Sequence, residues 1–388
     1  MITSPFAYVA ILLFVAGCLR FMEQRYKKSL FFTYLPAAVL LYLVIMLLST
    51  FNVWERNAEI TATYSGLKRA LLPAMIFLML LKSDLRKIRR LGGKMLLGFF
   101  SASISIGIGF VVSFAIFSQW MAPTAWKAFA ALSGSWMGGT GNMLAIQGSL
   151  NIAESDMGYT LLIDSIDYAL WVMLLLALVP FANIFNHWTK ADTQVLDRIG
   201  NELQESGDEK QRPVEFTDMI FLLGIAFAVA ALSLTGAERL PTTAFFTGTT
   251  WTVLIVTITG VIAAMTPLGK MPGSSEISNV MLFVIIALIA SRANFAELGQ
   301  APMYVAAGMV ILLVHALIML CVARIFKLDL FTCGIASLAN IGGVASAPIL
   351  AAAYSEVLIP IGVLMAMVGY VIGTGGGLLV GKVLSLLV

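Results

Sequence analysis

The chain has 388 residues, of which 60% are hydrophobic and 12% charged, and its formal net charge is +3. A soluble domain carries roughly 25% charged residues, so this composition excludes an ordinary soluble protein, and the small net charge does not indicate a nucleic-acid partner. Apolar runs near the membrane-spanning length of about 20 residues recur along the chain. The sequence therefore predicts an all-α, polytopic membrane protein.

In chain order, the apolar segments form two sets of six. The first set is 5–20, 31–50, 67–81, 95–118, 126–150 and 157–184. A polar stretch at 186–215 follows; it has apolar residues at helical spacing and is predicted to be a cytoplasmic linker with a short surface helix. The second set is 216–235, 246–267, 277–291, 302–326, 331–354 and 357–387. We accordingly expect a first repeat at 1–185 and a second at 216–388.

Glycines interrupt the fifth segment of each set, at 126–150 and at 331–354. Ser133 with Gly138-Gly139 in the first set corresponds to Ser337 with Gly342-Gly343 in the second, at the same spacing. Internal duplication of this kind is typical of secondary transporters.

Two topologies fit this duplication. If the broken segments cross the membrane, each half has six crossings and the halves are parallel; if they are re-entrant hairpins, each half has five crossings and the halves are inverted. Basic residues after the first and third segments place those loops in the cytoplasm and the N-terminus outside. The hairpin topology then places more Lys and Arg in the cytoplasm, and we favour it. The basic stretch from Lys82 to Lys94 is expected to contact lipid headgroups.

The glycine breaks are predicted to form a binding site near the middle of the membrane, because non-helical chain at that depth must be enclosed by protein or line a cavity. We expect the first arms to end near Ser133 and Ser337. New arms are expected to begin near Asn142 and Ser346, both good N-cap residues, with Pro348 in a first turn. Helix N-termini suit a carboxylate, and exposed carbonyl and hydroxyl oxygens suit Na⁺.

The candidate ligands form two overlapping groups. The candidates for binding substrate are Gly138, Gly139, Thr140, Gly141, Asn142, Asn340, Gly342, Gly343, Ser346, Asp164 and Asp167. The candidates for binding Na⁺ are Ser133, Ser135, Asn142, Ser337 and Asn340.

The stretch TLLIDSIDYALW places Asp164, Asp167, Tyr168 and Trp171 on one helical face. Carboxylates inside a membrane helix are costly and normally face a cavity or a partner. They could bind a coupling cation, carry a proton or hold a substrate ammonium; the alternative is a position near the membrane surface. Of the remaining signals, His315 is expected to be a packing residue rather than a proton relay.

The segment GTGGG, residues 373–377, is expected to serve helix packing. Gly373, Gly377 and Gly381 recur every four residues, and small residues at this spacing let membrane helices approach closely.

Two five-helix halves, each with a glycine-rich broken segment before its last helix, resemble the cation:proton antiporter and anion transporter superfamily. Within it, GSWMGGTGNM with DSIDYALW, and SLANIGGVASAPILAAAYS near the C-terminus, are most similar to the uncharacterised YjcL-like membrane family. The resemblance covers nearly the whole chain. It implies an elevator-type motion, in which a bundle carrying both broken segments slides past a dimerised scaffold, and hence a homodimer.

The superfamily contains two relevant mechanisms. Glutamate:sodium and hydroxycarboxylate symporters have glycine-rich re-entrant loops, which the paired glycines of this chain resemble. Cation:proton antiporters have acids on the helix after a broken helix, which Asp164 and Asp167 resemble in position. The adjacent acidic pair usual in antiporters is absent, because Ser165 and Ile166 separate the two acids.

The sequence thus predicts a secondary active transporter of the cell membrane that moves a small carboxylate-bearing solute, such as an organic acid, amino acid or short peptide, by Na⁺-coupled symport. The alternative is a monovalent cation:proton antiporter, so the coupling ion is Na⁺ or H⁺, and no organic cofactor is expected. No nucleophile–base pair, phosphate loop or metal cluster indicates an enzyme. A channel is disfavoured because inverted hairpins usually serve alternating access.

Overall fold

The computed structural model describes residues 1–26, 32, 37–88, 91–191, 212–243, 247–293, 301–355 and 358–388. These ranges contain α-helices, short 3-10 turns and one isolated bridge between Ile2 and Trp54, and no strand. The all-α prediction is confirmed. The surface helix predicted in the linker lies outside the described residues.

The first half contains eight helices among the described residues, besides a single turn at Leu85–Ile88. They are α1 (Pro5–Arg25), α2 (Ala37–Thr50), α3 (Ala58–Leu80), α4 (Gly92–Phe117), α5 (Ala125–Gly138), α6 (Thr140–Ser149), α7 (Glu154–Leu178) and α8 (Ala182–Thr189). The described helices of the second half are α9 (Phe216–Ala237), α10 (Gly248–Ala264), α11 (Ser274–Ala290), α12 (Ala301–Phe326), α13 (Leu330–Ile341), α14 (Gly343–Tyr354) and α15 (Ile359–Leu384).

Within the described ranges, six helices are long and apolar enough to cross a membrane: α1, α4, α7 with its extension α8, α9, α12 and α15. Shorter apolar helices, among them α2, α10 and α11, lie between them. These helices confirm a multi-pass membrane protein. Helices of the first half pack on helices of the second half, α3 on α11 and α4 on α12.

The helices bury two hydrophobic clusters. The first core cluster lies mainly among α4, α5, α7, α12, α13, α14 and α15. The second core cluster lies mainly among α1, α2, α3, α6, α9, α10 and α11. The arms α5 and α6 of the first glycine-broken segment therefore lie mainly in different clusters.

The first broken segment folds back on itself, and we call it hairpin 1 (α5 and α6). Its arms are joined at Gly139, whose φ of 86° lies in the region that glycine adopts without steric cost. Lys127 Nζ at the start of α5 donates to the Leu150 carbonyl after α6, at 3.2 Å. At about 1.5 Å per residue, neither arm could span a bilayer core of about 30 Å.

The second broken segment has the same form, and we call it hairpin 2 (α13 and α14). Gly343, with a φ of 63°, begins the second arm. The rings of Phe331 and Tyr354, at the outer ends of the two arms, have centroids 5.3 Å apart. The beginning and the end of this segment are therefore also adjacent.

The two hairpins open toward opposite ends of the α7–α8 helix pair. Thr160 Oγ1 near the start of α7 donates to the Ala128 carbonyl at the open end of hairpin 1, at 3.2 Å. Leu330 N at the open end of hairpin 2 donates to Asn186 Oδ1 in α8, at 2.8 Å. Because α8 continues α7, the open ends lie at opposite ends of the bundle.

The predicted bounds of the arms are wrong. The first arms do not end near Ser133 and Ser337; they continue to Gly138 and Ile341. The chain reverses at a glycine of positive φ, and a glycine in this conformation can reverse the chain direction within one residue. The breaks between the arms are therefore shorter than a loop with polar caps would be.

The predicted N-caps are also wrong. The second arms begin at Thr140 and Gly343, after glycine, and Asn142 and Ser346 lie within their first turns. Pro348 lies inside α14 rather than in its first turn.

The helices α5 and α15 pack closely against each other through glycines. A Cβ at Gly373 would lie 2.7 Å from Gly138 Cα, and one at Gly377 would lie 2.9 Å from Gly134 Cα. A Cβ at Gly381 would lie 2.8 Å from Ala130 Cβ. The recurring glycines thus let the two backbones approach closely, which confirms the predicted packing role of this face.

We expect Gly377→Ala to lower the melting temperature of the detergent-solubilised protein, because overpacking typically costs about 1–3 kcal/mol. The matched control is Gly375→Ala on the same helix, where an added Cβ meets nothing within 4 Å. Thermal unfolding followed by far-UV circular dichroism measures both variants. Equal melting temperatures would show that the α5–α15 contact is not tight.

The opposed hairpins, together with the predicted external N-terminus, give a labelling prediction. In a chain whose native Cys18, Cys321 and Cys333 are replaced, an impermeant thiol reagent should label Thr124→Cys in intact cells. It should label Lys327→Cys only after lysis, because these exposed positions adjoin the open ends of hairpin 1 and hairpin 2 respectively. Labelling of both cysteines from the same side would rule out the inverted arrangement.

Candidate functional site

One face of α7 lies between the two hairpins. Asp164 contacts hairpin 1, Trp171 contacts hairpin 2, and Asp167 lies between them and faces α12. The sequence predicted these side chains on one face from their spacing. The structure adds the partners of each, which come from distant parts of the chain.

Asp164 is held by two donors from hairpin 1. Ser135 Oγ lies 3.2 and 3.1 Å from its two carboxylate oxygens, and Trp136 Nε1 donates to Oδ1 at 2.9 Å. Hydrogen bonds to a charged acceptor are about twice as strong as neutral ones. The structure thus brings together two predicted residues, Ser135 and Asp164, and adds Trp136, which sequence reasoning missed.

Asp167 is fully buried, and neither of its carboxylate oxygens has a hydrogen-bond partner among the described residues. One oxygen lies directly against Gly308 of α12, where no side chain would fit. Burying an ionised carboxylate without a partner is very costly, so this group requires a proton or a bound cation. Gly308 is 141 positions from Asp167 in the sequence, and no local pattern points to it.

Tyr168 connects the same face to the tip of hairpin 2. Its ring packs against Gly342, beside the Ser346 hydroxyl, and a side chain at 342 would collide with both. The predicted candidates Gly342, Gly343 and Ser346 therefore lie together at the tip, next to α7.

A buried polar network anchors hairpin 2. His315 Nδ1 lies 2.7 Å from Ser105 Oγ, and His315 Nε2 lies 2.7 Å from Ser337 Oγ. Trp171 Nε1 donates to Ser337 Oγ at 2.7 Å, and Ser105 Oγ donates to the Ala102 carbonyl. Ser105 must then accept from Nδ1–H, and Nε2 accepts from Ser337, so every group in the network is satisfied by a neutral imidazole. This is the environment expected of a packing histidine.

The tips of the two hairpins meet beside Gly369 of α15. A Cβ at this position would lie 2.9 Å from the Met137 carbonyl oxygen and 3.6 Å from the Ala339 carbonyl oxygen. Both carbonyls belong to the last turn of a first arm, where helices have unpaired acceptors and partial negative charge. The meeting point therefore favours positive charge.

The two predicted asparagines make internal bonds. Asn142 Nδ2 donates to the Gly138 carbonyl at 2.6 Å, and its Oδ1 accepts from Thr374 at 2.6 Å. Asn340 Oδ1 accepts from Ser103 at 2.7 Å, and its Nδ2 donates to the Ala336 carbonyl at 2.8 Å. These side chains fix the hairpin tips.

The remaining candidates contact different elements. Ser133 Oγ donates to the Ala130 carbonyl of its own helix at 2.8 Å. Gly139 and Thr140 form the turn of hairpin 1, and Gly141 packs against Met79 of α3. Each of the five Na⁺ candidates has a different hydrogen-bond partner, and their role as Na⁺ ligands stays a prediction.

The apolar helices, two opposed helical hairpins and a buried acidic face define a polytopic helical membrane protein. Residues 10–387 match the family model described as "Protein of unknown function (DUF819)". The chain belongs to this family.

The chain is similar to the "Uncharacterized membrane protein YjcL" of Bacillus subtilis (strain 168). The two are 21% identical over 372 residues, which cover 93% of this chain and 92% of the relative. The predicted YjcL-like membrane family is thereby confirmed, while the wider superfamily stays a prediction.

We expect Ser337→Ala to lower the melting temperature more than Ser133→Ala. Removing Ser337 leaves His315 Nε2 and Trp171 Nε1 buried without partners, and each such group costs about 1–3 kcal/mol. Ser133 is equally buried and occupies the corresponding position of hairpin 1, but its hydroxyl bonds only to its own helix among the described contacts. Thermal unfolding in detergent measures both, and equal shifts would mean that the network does not hold hairpin 2.

Proposed function

We propose that the protein is a secondary active transporter in which Asp164 and Asp167 hold the coupling cation, with Na⁺ as the preferred ion and H⁺ as the alternative. The observation that carries this proposal is the buried Asp167 carboxylate, which has no hydrogen-bond partner among the described residues and lies beside two hairpins that meet at their tips. Intramembrane acids with this degree of burial mark ion and proton pathways.

The local charges support a cation at this place. No ion pair among the described residues includes Asp164 or Asp167, so the positive charge must come from a bound ion or a proton. The described residues also contain no group of three or more His, Cys, Asp or Glu that could hold a transition metal. Two carboxylates with hydroxyl and carbonyl oxygens nearby suit a monovalent cation.

The arrangement of the hairpins supports alternating access. Opposed re-entrant segments that meet near the bilayer midplane are the form in which many transporters build their binding sites. The resemblance to the cation:proton antiporter and anion transporter superfamily supports the same mechanism, including an elevator-type motion within a homodimer. The amide ends of the second arms, at Thr140 and Gly343, would receive the carboxylate of the solute.

The contact between α6 and α3 supports a motion of hairpin 1 relative to the neighbouring helices. The arm α6 of hairpin 1 faces α3 of the second core cluster through Gly141 and Gly148, which meet Met79 and Leu72. Glycines present no side chain that interlocks with the partner, and methionine adapts to changes of shape. This interface therefore suits sliding better than a contact between interlocked branched side chains.

A monovalent cation:proton antiporter is the second candidate, and the same two carboxylates favour it. A site that requires a positive charge can exchange a proton for Na⁺ without a solute. The two mechanisms differ in what moves with the cation, and proton movement is measurable.

We expect the purified protein to bind radioactive Na⁺ saturably, and Asp167→Asn to bind it about tenfold or more weakly, because a contact to a charged group contributes about 1.5–3 kcal/mol. The matched control is Asp156→Asn in the first turn of the same helix, at the open end of hairpin 1, which should bind normally. Equilibrium dialysis measures all three proteins. Absence of saturable binding to the wild type would show that Na⁺ is not the coupling ion.

Proteoliposomes that contain a pH-sensitive dye separate the two mechanisms. An antiporter makes the lumen alkaline when Na⁺ or K⁺ is added outside, and Asp164→Asn should abolish that signal. A Na⁺-coupled symporter gives no pH change on this addition, because it carries no proton.

A further inference from the structure

The structure contains a second polar site, at the open end of hairpin 1. A cavity of about 750 Å³ lies among α3, α6, α9, α10 and the start of α7. We call it the outer cavity; its lining includes Lys68, Arg69, Gln147, Glu154 and Glu238. Its volume lies in the range of about 300–1,000 Å³ that is usual for small-molecule sites.

The strongest indication of a ligand is Gln147 on α6. This residue is 1% exposed and lines the outer cavity, and neither its amide nitrogen nor its amide oxygen has a hydrogen-bond partner among the described residues. Buried side-chain polar groups are nearly always hydrogen-bonded. A carboxamide offers both donors and an acceptor, and its natural complement is another amide.

The charges in the outer cavity are balanced. Lys68 Nζ lies 3.3 Å from Glu154 Oε1, which also accepts a hydrogen bond from Tyr64. At the rim, Arg69 pairs with Glu238 at 3.2 Å. A cavity built for an anion alone would have an excess of positive charge. Two cations and two anions instead suit a ligand that carries both an ammonium and a carboxylate.

We propose that the outer cavity binds a short peptide as a zwitterion. Its ammonium group would meet Glu154, its carboxylate would meet Lys68 and Arg69, and its peptide amide would pair with the Gln147 carboxamide. This proposal rests on the proposed transport function and names its substrate class. It places the first solute contact at the open end of hairpin 1, two turns along α6 from the tip that meets α15.

The test is a binding titration of the detergent-solubilised wild-type chain with L-alanyl-L-alanine, followed by calorimetry. Two analogues are titrated in parallel: the N-acetyl dipeptide, which lacks the ammonium, and the dipeptide amide, which lacks the carboxylate. We expect saturable binding of the dipeptide and about tenfold or weaker binding of each analogue, since each loses one charged contact. No binding of the dipeptide, or equal binding of either analogue, would overturn the proposal.

Gln147→Met tests the amide contact, because it keeps the length of the side chain and removes both polar groups. It should bind the dipeptide about tenfold more weakly, whereas Gln119→Met, an exposed position outside the cavity, should bind normally. An unchanged affinity of Gln147→Met for the dipeptide would refute the contact between Gln147 and the peptide amide. The titrations of the analogues use the wild-type chain, so they do not depend on how this variant folds. Na⁺ binding at Asp167 is measured without peptide, so a failure of the peptide proposal is distinct from a failure of the cation proposal.

Discussion

The close contact between α5 and α15 is the constraint on which the rest of the structure depends. Its glycines bring the backbones of Gly134 and Gly138 against α15, and this fixes where hairpin 1 ends. That position in turn presents Ser135 and Trp136 to Asp164. In a bilayer, association of helices depends on such packing because apolar burial gives no preference over lipid.

The polar groups inside this protein divide sharply into satisfied and unsatisfied ones. The two tip asparagines and His315 are buried, Asp164 is half-buried, and each has hydrogen-bond partners, so they act as fixed points. Asp167 and Gln147 are buried and have none among the described residues. Because an unpartnered buried polar group lowers stability, its retention is best explained by a ligand that supplies the partner. Four buried serines also lack a partner for their hydroxyl, but among the described residues only Asp167 and Gln147 have two such atoms, and they mark the two proposed sites.

The sequence predicts the helices and their polar faces, because these depend on local periodicity. It does not predict features that depend on distant contacts or on special backbone angles. The acidic face of α7 follows from helical spacing, and the breaks follow from paired glycines. The predicted N-caps are wrong because glycine at positive φ turns the chain without a polar cap. The partners Trp136 and Gly308 could not be predicted, because helical spacing does not show which residues of distant helices meet.

Hairpin 1 connects the two sites physically. Its arm α6 carries Gln147 in the outer cavity, and its arm α5 carries Ser135, which holds Asp164. The bond from Asn142 to the Gly138 carbonyl ties the arms together at the tip. A solute that moves α6 would therefore change the donors available to Asp164 and with them the affinity for a cation. Linkage is reciprocal, so a cation at Asp164 and Asp167 must alter solute affinity by the same factor, which is the thermodynamic requirement for coupled transport.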